Sequence, residues 1–237
     1  MNSSVLIKYE TVEKDFFDFL SKNLRDDLLF YAVTGSVSRR DVIFGWSDID
    51  VLIVIKEYSN KSISIIDKAL SLNSSGIKIG ITFFSYRHFV NEKINKDSKT
   101  LYSIDLIDQG ICKPKIFNQK IKNNILKVKH QKPFLWYSAA SFTGILHGYK
   151  HALLPTSNYN EKEVYKKLTT ILKIILKQKG IVVHGYDEVF ELSKNKLKGF
   201  DMNFNSPVYI LKNPDISHER HKEYIKMLGW LEKYPKF

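Results

Sequence analysis

The sequence predicts an α/β half followed by a mainly helical half, and three observations carry that division. Three apolar runs of strand length, residues 28–35, 48–55 and 77–85, all lie in the first part of the chain. Beyond residue 125, apolar side chains recur only at helical spacing. Between the two lies NQKIKNNILKVKHQKP, polar, strongly basic and closed by Pro133, which sets the expected domains at 1–124 and 125–237.

Each element has its own signal. Residues 10–22 place Val12, Phe16, Phe19 and Leu20 at helical spacing, with acidic and basic residues between them. LLFYAVTG is a continuous apolar run ending in glycine, as expected of a buried strand, and a polar loop, SVSRRDVIFGWS, follows it. DIDVLIVI reads as a second buried strand. Residues 62–73 read as a helix, and IKIGITFFS, bounded by Gly76 and Ser85, as a third strand. A helix over 102–110 that stops at Gly110, then a short strand near 111–117, completes the first half. In the second half, 134–154 reads as a helix stopped by Pro155. The segment 161–180 carries Val164, Leu168, Leu172 and Ile175 on one stripe and ends at Gly180. Two further helices are expected over 186–197 and 218–234.

Composition excludes several classes. The longest apolar runs, such as 51–55, fall far short of the roughly 20 residues that a membrane helix needs, so no membrane association is expected. The opening MNSSVLIKYE lacks the basic, apolar and small-residue regions of a secretion signal, and a cytoplasmic protein is expected. Cys112 is the single cysteine, which leaves no internal disulfide and no cysteine-based zinc site. The net charge of +12 has two readings. Clustered lysines, including seven between Lys113 and Lys132, suit a phosphate backbone. Yet only five of the 37 basic residues are arginine, and Ile, Asn, Tyr and Phe are abundant, as an AT-rich genome would write without selection for binding.

The chemistry concentrates in TGSVSRRDVIFGWSDIDVL, residues 34–52. A glycine and a serine follow the first strand, where a small residue lets the backbone approach a phosphate. The Ser36 hydroxyl and nearby amides then suit a triphosphate. Asp48 and Asp50 stand two apart on a strand, so both carboxylates project from one face and form a hard-oxygen site suited to Mg²⁺. Arg39, in the intervening loop, brings a guanidinium within reach of a phosphate.

With Gly35-Ser36 after a strand, 13 positions to Asp48, Ser47 directly before it, Ser38-Arg39 in the loop and apolar residues framing the aspartates, the segment resembles the DNA polymerase β-type nucleotidyltransferases. The resemblance spans roughly residues 10–118. It implies a mixed-sheet catalytic domain that binds a nucleoside triphosphate through Gly35, Ser36, Arg39 and Ser47. It also implies two metal ions at Asp48 and Asp50, in-line attack by an acceptor hydroxyl on the α-phosphate, and release of pyrophosphate. The helical half is similar to the C-terminal domains of small members of that superfamily, the aminoglycoside-modifying and toxin–antitoxin types. This implies an acceptor in a groove between the halves, a small hydroxylated molecule ahead of an RNA 3′ end or a protein side chain.

One departure stands out. The family supplies a third carboxylate from the next catalytic strand, and here that strand, KIGITFF, has none; Gly80 takes the expected place, flanked by Lys78 and Thr82. Either a base comes from the helical half, where Glu161, Glu163, Asp187, Glu188 and Glu191 are available, or the domain binds nucleotide or RNA without turning it over. Asp105 and Asp108 are weaker candidates, because they fall on the following predicted helix. Two further groups are weighed on the residues. His147 and His151 have the i, i+4 spacing of a metal pair but no third ligand, and Trp46 is either packing or a stacking platform.

Overall fold

The computed structural model describes residues 3–90, 107, 109–121, 123, 133–154, 160–214 and 217–233. The chain divides into two compact units, Met1–Pro133 and Phe134–Phe237.

The first unit is built on a four-stranded sheet in the order β3-β2-β1-β4. Its strands are β1 (Leu28–Thr34), β2 (Ile49–Ile55), β3 (Ile79–Ser85) and β4 (Ile116–Phe117). β1 runs antiparallel to β2 and β4, while β2 and β3 are parallel, so the sheet is mixed. A parallel pair cannot be joined by a hairpin. The crossover between β2 and β3 contains helix α3 (Asn60–Ser71), capped by Ser59, whose hydroxyl accepts from the Ser62 amide.

Helix α1 (Ser3–Leu24) starts well before the expected position 10 and packs with α3 on one face of the sheet. There Leu6, Tyr9, Phe16 and Leu20 meet Tyr31, Ile49, Val51, Ile53, Ile55 and Ile79. The alternate residues Leu52 and Val54 are also buried, although they point to the other face. Burial on both faces is why β2 reads as a continuous apolar run rather than an alternating one.

Two short helices escaped sequence reading in this unit: α2 (Gly35–Arg39), at the start of the expected polar loop, and α4 (Tyr86–Val90). Five residues are too few to show a 3.6-residue period. The expected helix over 102–110 lies almost wholly outside the described residues.

The second unit contains α5 (Pro133–Ala152), α6 (Glu161–Gln178), α7 (Tyr186–Lys196), α8 (Pro207–Lys212) and α9 (Ser217–Lys233). The predicted stripe of α6, Val164, Leu168, Leu172 and Ile175, is fully buried, and Asn160 caps its start by accepting from the Glu163 amide. Pro155, expected to stop α5, lies outside the described residues. Helix α8 was not expected, yet its signal is local: Ser206 caps it and Pro207 opens it.

A buried ion pair ties this unit together. Arg220 donates from Nε and Nη2 to the two Glu161 carboxylate oxygens at 2.5 and 2.6 Å, and from Nη1 to the Asn213 carbonyl at 2.8 Å. The Tyr224 hydroxyl adds a third bond to Glu161 at 3.0 Å. Among the described residues, no helix is long and apolar enough to cross a membrane.

Candidate functional site

The site is assembled where β1 ends against the start of β2. Thr34 pairs with Asp50 across the sheet, and the chain then turns at Gly35, whose φ is +69°. An L side chain is strained at that φ, and space forbids one as well. A Cβ built on Gly35 would lie 2.7 Å from Asp50 Oδ2. The glycine is required because the turn runs directly beneath a carboxylate.

Helix α2 begins at this turn and lasts one winding, closing at Arg40 with φ 64°. The first turn of any helix leaves its amides without intrahelical acceptors, so the Gly35–Val37 backbone presents donors beside Asp50. Ser36 is buried at that turn. Arg39 is nearly buried and pairs through Nε with Asp41 Oδ2 at 3.0 Å, so it reaches this region already held by a carboxylate of its own loop.

The loop returning to β2 is clasped by Ser47. The Ser47 hydroxyl accepts from the Ile43 amide at 2.9 Å, and the Ser47 amide donates to the Ile43 carbonyl at 2.8 Å. From α1, the buried Tyr9 hydroxyl donates to the Ser47 carbonyl at 3.0 Å, anchoring the peptide immediately before Asp48. Burial, and then the negative charge of Asp48, hold the Tyr9 phenol above its ordinary value. Asp48 and Asp50 are both half-buried; Asp50 lies in β2 and Asp48 immediately precedes that strand.

On the far side of β2, Gly80 is the register partner of Asp50, and Thr82 that of Leu52. The row across the sheet is therefore Thr34, Asp50, Gly80. Among the described residues, no group of three His, Cys, Asp or Glu side chains is placed to hold a metal ion. His147 and His151 are both exposed on α5 and belong to no such group.

Trp46 is fully buried and packs inside the unit, so it is no stacking platform; the exposed ring of the loop is Phe44, at 55%, with Lys8 Nζ 4.8 Å from its centroid. Of the five acids named in the helical half, Glu161 is committed to Arg220, while Glu163, Asp187, Glu188 and Glu191 are exposed.

Two features had no signal in the sequence. Tyr9 occupies an ordinary core position of an amphipathic helix, and nothing marks its hydroxyl. Glu13, one of the charged residues between the apolar positions of the first helix, is buried; it accepts from the Tyr31 hydroxyl at 2.8 Å and from Lys115 Nζ at 2.6 Å. Its charge adds to burial in pushing the Tyr31 phenol up. Cys112 donates to the Val33 carbonyl at 2.7 Å, and burial pushes its thiol up to about 12, which makes it a packed side chain rather than a nucleophile.

A mixed four-stranded sheet followed by a helical unit is a nucleotidyltransferase-like fold, by likeness to a solved structure. A solved structure with this fold is spectinomycin adenyltransferase AAD(9) from Enterococcus faecialis, determined with ATP and spectinomycin. It is similar to 92% of this chain over 99% of its own length, with a TM-score of 0.53 and 14% sequence identity. No protein-family profile matches the chain, and no curated protein matches it.

Proposed function

We propose that the protein transfers a nucleoside monophosphate from a Mg²⁺-bound nucleoside triphosphate to a hydroxyl of a small molecule, releasing pyrophosphate. The observation that carries this reading is the seating of the Gly35 turn against Asp50, with the half-buried Asp48 two residues earlier in the chain. That arrangement sets phosphate-binding amides and cation-binding carboxylates side by side.

The donor set fits one Mg²⁺. The ion takes hard oxygen ligands and completes its octahedron with water and substrate phosphates, so two half-buried carboxylates, one in β2 and one just before it, suffice. Asp48 and Asp50 would hold it, and when bound it supplies charge neutralisation at the triphosphate. Gly35 admits the phosphate to the backbone, and Ser36 and the first-turn amides donate to phosphate oxygens. Arg39 adds a cation from the loop, and Ser47 keeps that loop closed. The acceptor hydroxyl gives its proton to solvent as its oxygen bonds to the α-phosphorus, the bond from that phosphorus to the bridging oxygen breaks, and pyrophosphate leaves.

The similar adenyltransferase was solved with ATP and a small molecule, which favours ATP as donor and a small acceptor over RNA or protein. Such a reaction suits the cytoplasm, where nucleoside triphosphates are abundant. A second reading, nucleotide binding without turnover, is favoured by Gly80 at the register position beside Asp50.

Calorimetry with ATP and Mg²⁺ tests the site: binding is expected, and Asp48→Asn or Asp50→Asn should abolish it while circular dichroism stays unchanged. Pyrophosphate release is then measured across a panel of small hydroxylated compounds and RNA ends. Binding without release for every acceptor would favour the second reading. Binding unchanged in the double variant would remove the aspartates from the site.

A further inference from the structure

Catalytic sites that use two cations place them about 3.5–4 Å apart and need carboxylates to serve both. This chain departs from that arrangement at one position. The parallel register sets Gly80 directly beside Asp50, and paired residues on adjacent strands share a face with their Cβ atoms roughly 5 Å apart. A carboxylate at position 80 would therefore stand within reach of a cation held by Asp50, but glycine offers no ligand atom.

The neighbours do not replace it. Along the chain, the positions two before and two after Gly80 are Lys78 and Thr82, an ammonium and a hydroxyl. Across β2, the partner of Asp50 on β1 is Thr34, whose hydroxyl is turned to the Asp50 carbonyl at 3.4 Å. Among the described residues, no third acid, histidine or cysteine joins the pair. Two carboxylates carry two negative charges, which balance one divalent ion. Among the described residues a second Mg²⁺, reluctant to shed water and strict about its octahedron, finds no further protein ligand and would depend on the nucleotide.

We infer that the site holds one divalent cation per bound nucleoside triphosphate, and that Gly80 is the position that leaves out the second. This inference rests on the aspartates being the nucleotide site proposed above.

Mn²⁺ serves as the probe. The full chain is saturated with a non-hydrolysable ATP analogue and titrated with Mn²⁺, with free ion read by electron paramagnetic resonance. The expected count is one Mn²⁺ per bound nucleotide in the wild type, one in Gly80→Asn and two in Gly80→Asp. Position 80 lies within a strand and has no positive φ, so an L side chain suits its backbone. Two ions in the wild type would overturn the inference while leaving the nucleotide site intact. One ion in a folded Gly80→Asp would overturn the assignment to position 80. Failure of the analogue to bind would overturn the nucleotide site itself, and this inference with it. Should Gly80→Asp not fold, the wild-type count decides.

Discussion

Replacing Gly35 with alanine tests the geometry at the centre of the site. Two penalties are expected, and the structure separates them. The first is conformational: at φ +69° an L residue costs about 1–2 kcal/mol. The second is steric. The new Cβ falls 2.7 Å from Asp50 Oδ2, whereas a carbon–oxygen contact settles near 3.3 Å, so the carboxylate must give way by roughly 0.6 Å. A shift of that size at a site built on position is worth an order of magnitude or two in rate, by analogy with the roughly 100-fold cost of a 1 Å misplacement. Gly76 is the matched control. Its φ is +75°, and a Cβ there meets nothing within 4 Å, so Gly76→Ala carries the conformational penalty alone. Urea unfolding should show both variants destabilised, Gly35→Ala by more than Gly76→Ala because only it carries the steric penalty as well. Calorimetry with Mg²⁺ and ATP should show affinity lost tenfold or more in Gly35→Ala and retained in Gly76→Ala. Equal nucleotide affinity in the two folded variants would refute the claim that Gly35 sets the position of Asp50.

Two further outcomes follow from the same contacts. Tyr9→Phe removes the donor to the Ser47 carbonyl, so stability should fall by about 1–2 kcal/mol in urea and nucleotide affinity several-fold. Lost stability with unchanged affinity would reduce Tyr9 to packing. Arg220→Ala leaves the buried Glu161 charge without its bidentate partner and should cost about 3–5 kcal/mol, whereas replacing both residues with leucine or methionine should recover most of it. A loss under 1 kcal/mol in the single variant would show that the pair is solvated and that Glu161 is free for other work.

What the sequence made legible followed from burial on two scales. β2 stands out because both its faces are covered, and α6 because its stripe repeats along 18 residues. The aspartate pair and the glycine turn were visible because their chemistry depends on spacing within 20 residues. The reason for the glycine was only half visible, however. Its smallness was read as room for a phosphate, whereas the first atom it makes room for is Asp50 Oδ2. Tyr9 with Ser47, Glu13 with Lys115 and Glu161 with Arg220 were not legible, since each joins residues 38 to 102 apart that carry no periodic or motif signal. Trp46 and Phe44 could not be ranked for the same reason. Gly45, at φ +77° between them, re-aims the chain, and only the fold decides which ring turns inward.

The row Thr34, Asp50, Gly80 gives the site a direction. Each strand places one residue on the same line, and the line runs from a hydroxyl through a carboxylate to no side chain at all. The groups suited to phosphate and cation therefore stand at the β1–β2 junction, where the α2 amides, Ser36 and the aspartates meet, and the β3 side contributes only backbone at Gly80. A strand face without a ligand cannot take a proton from an acceptor hydroxyl. If turnover occurs, the proton must pass to a group carried by another element or to bulk water, and β3 sets only the space in which that happens. On the proposed reading, variants at Asp48 and Asp50 report on nucleotide and cation binding, and variants outside the sheet report on the route of the acceptor's proton.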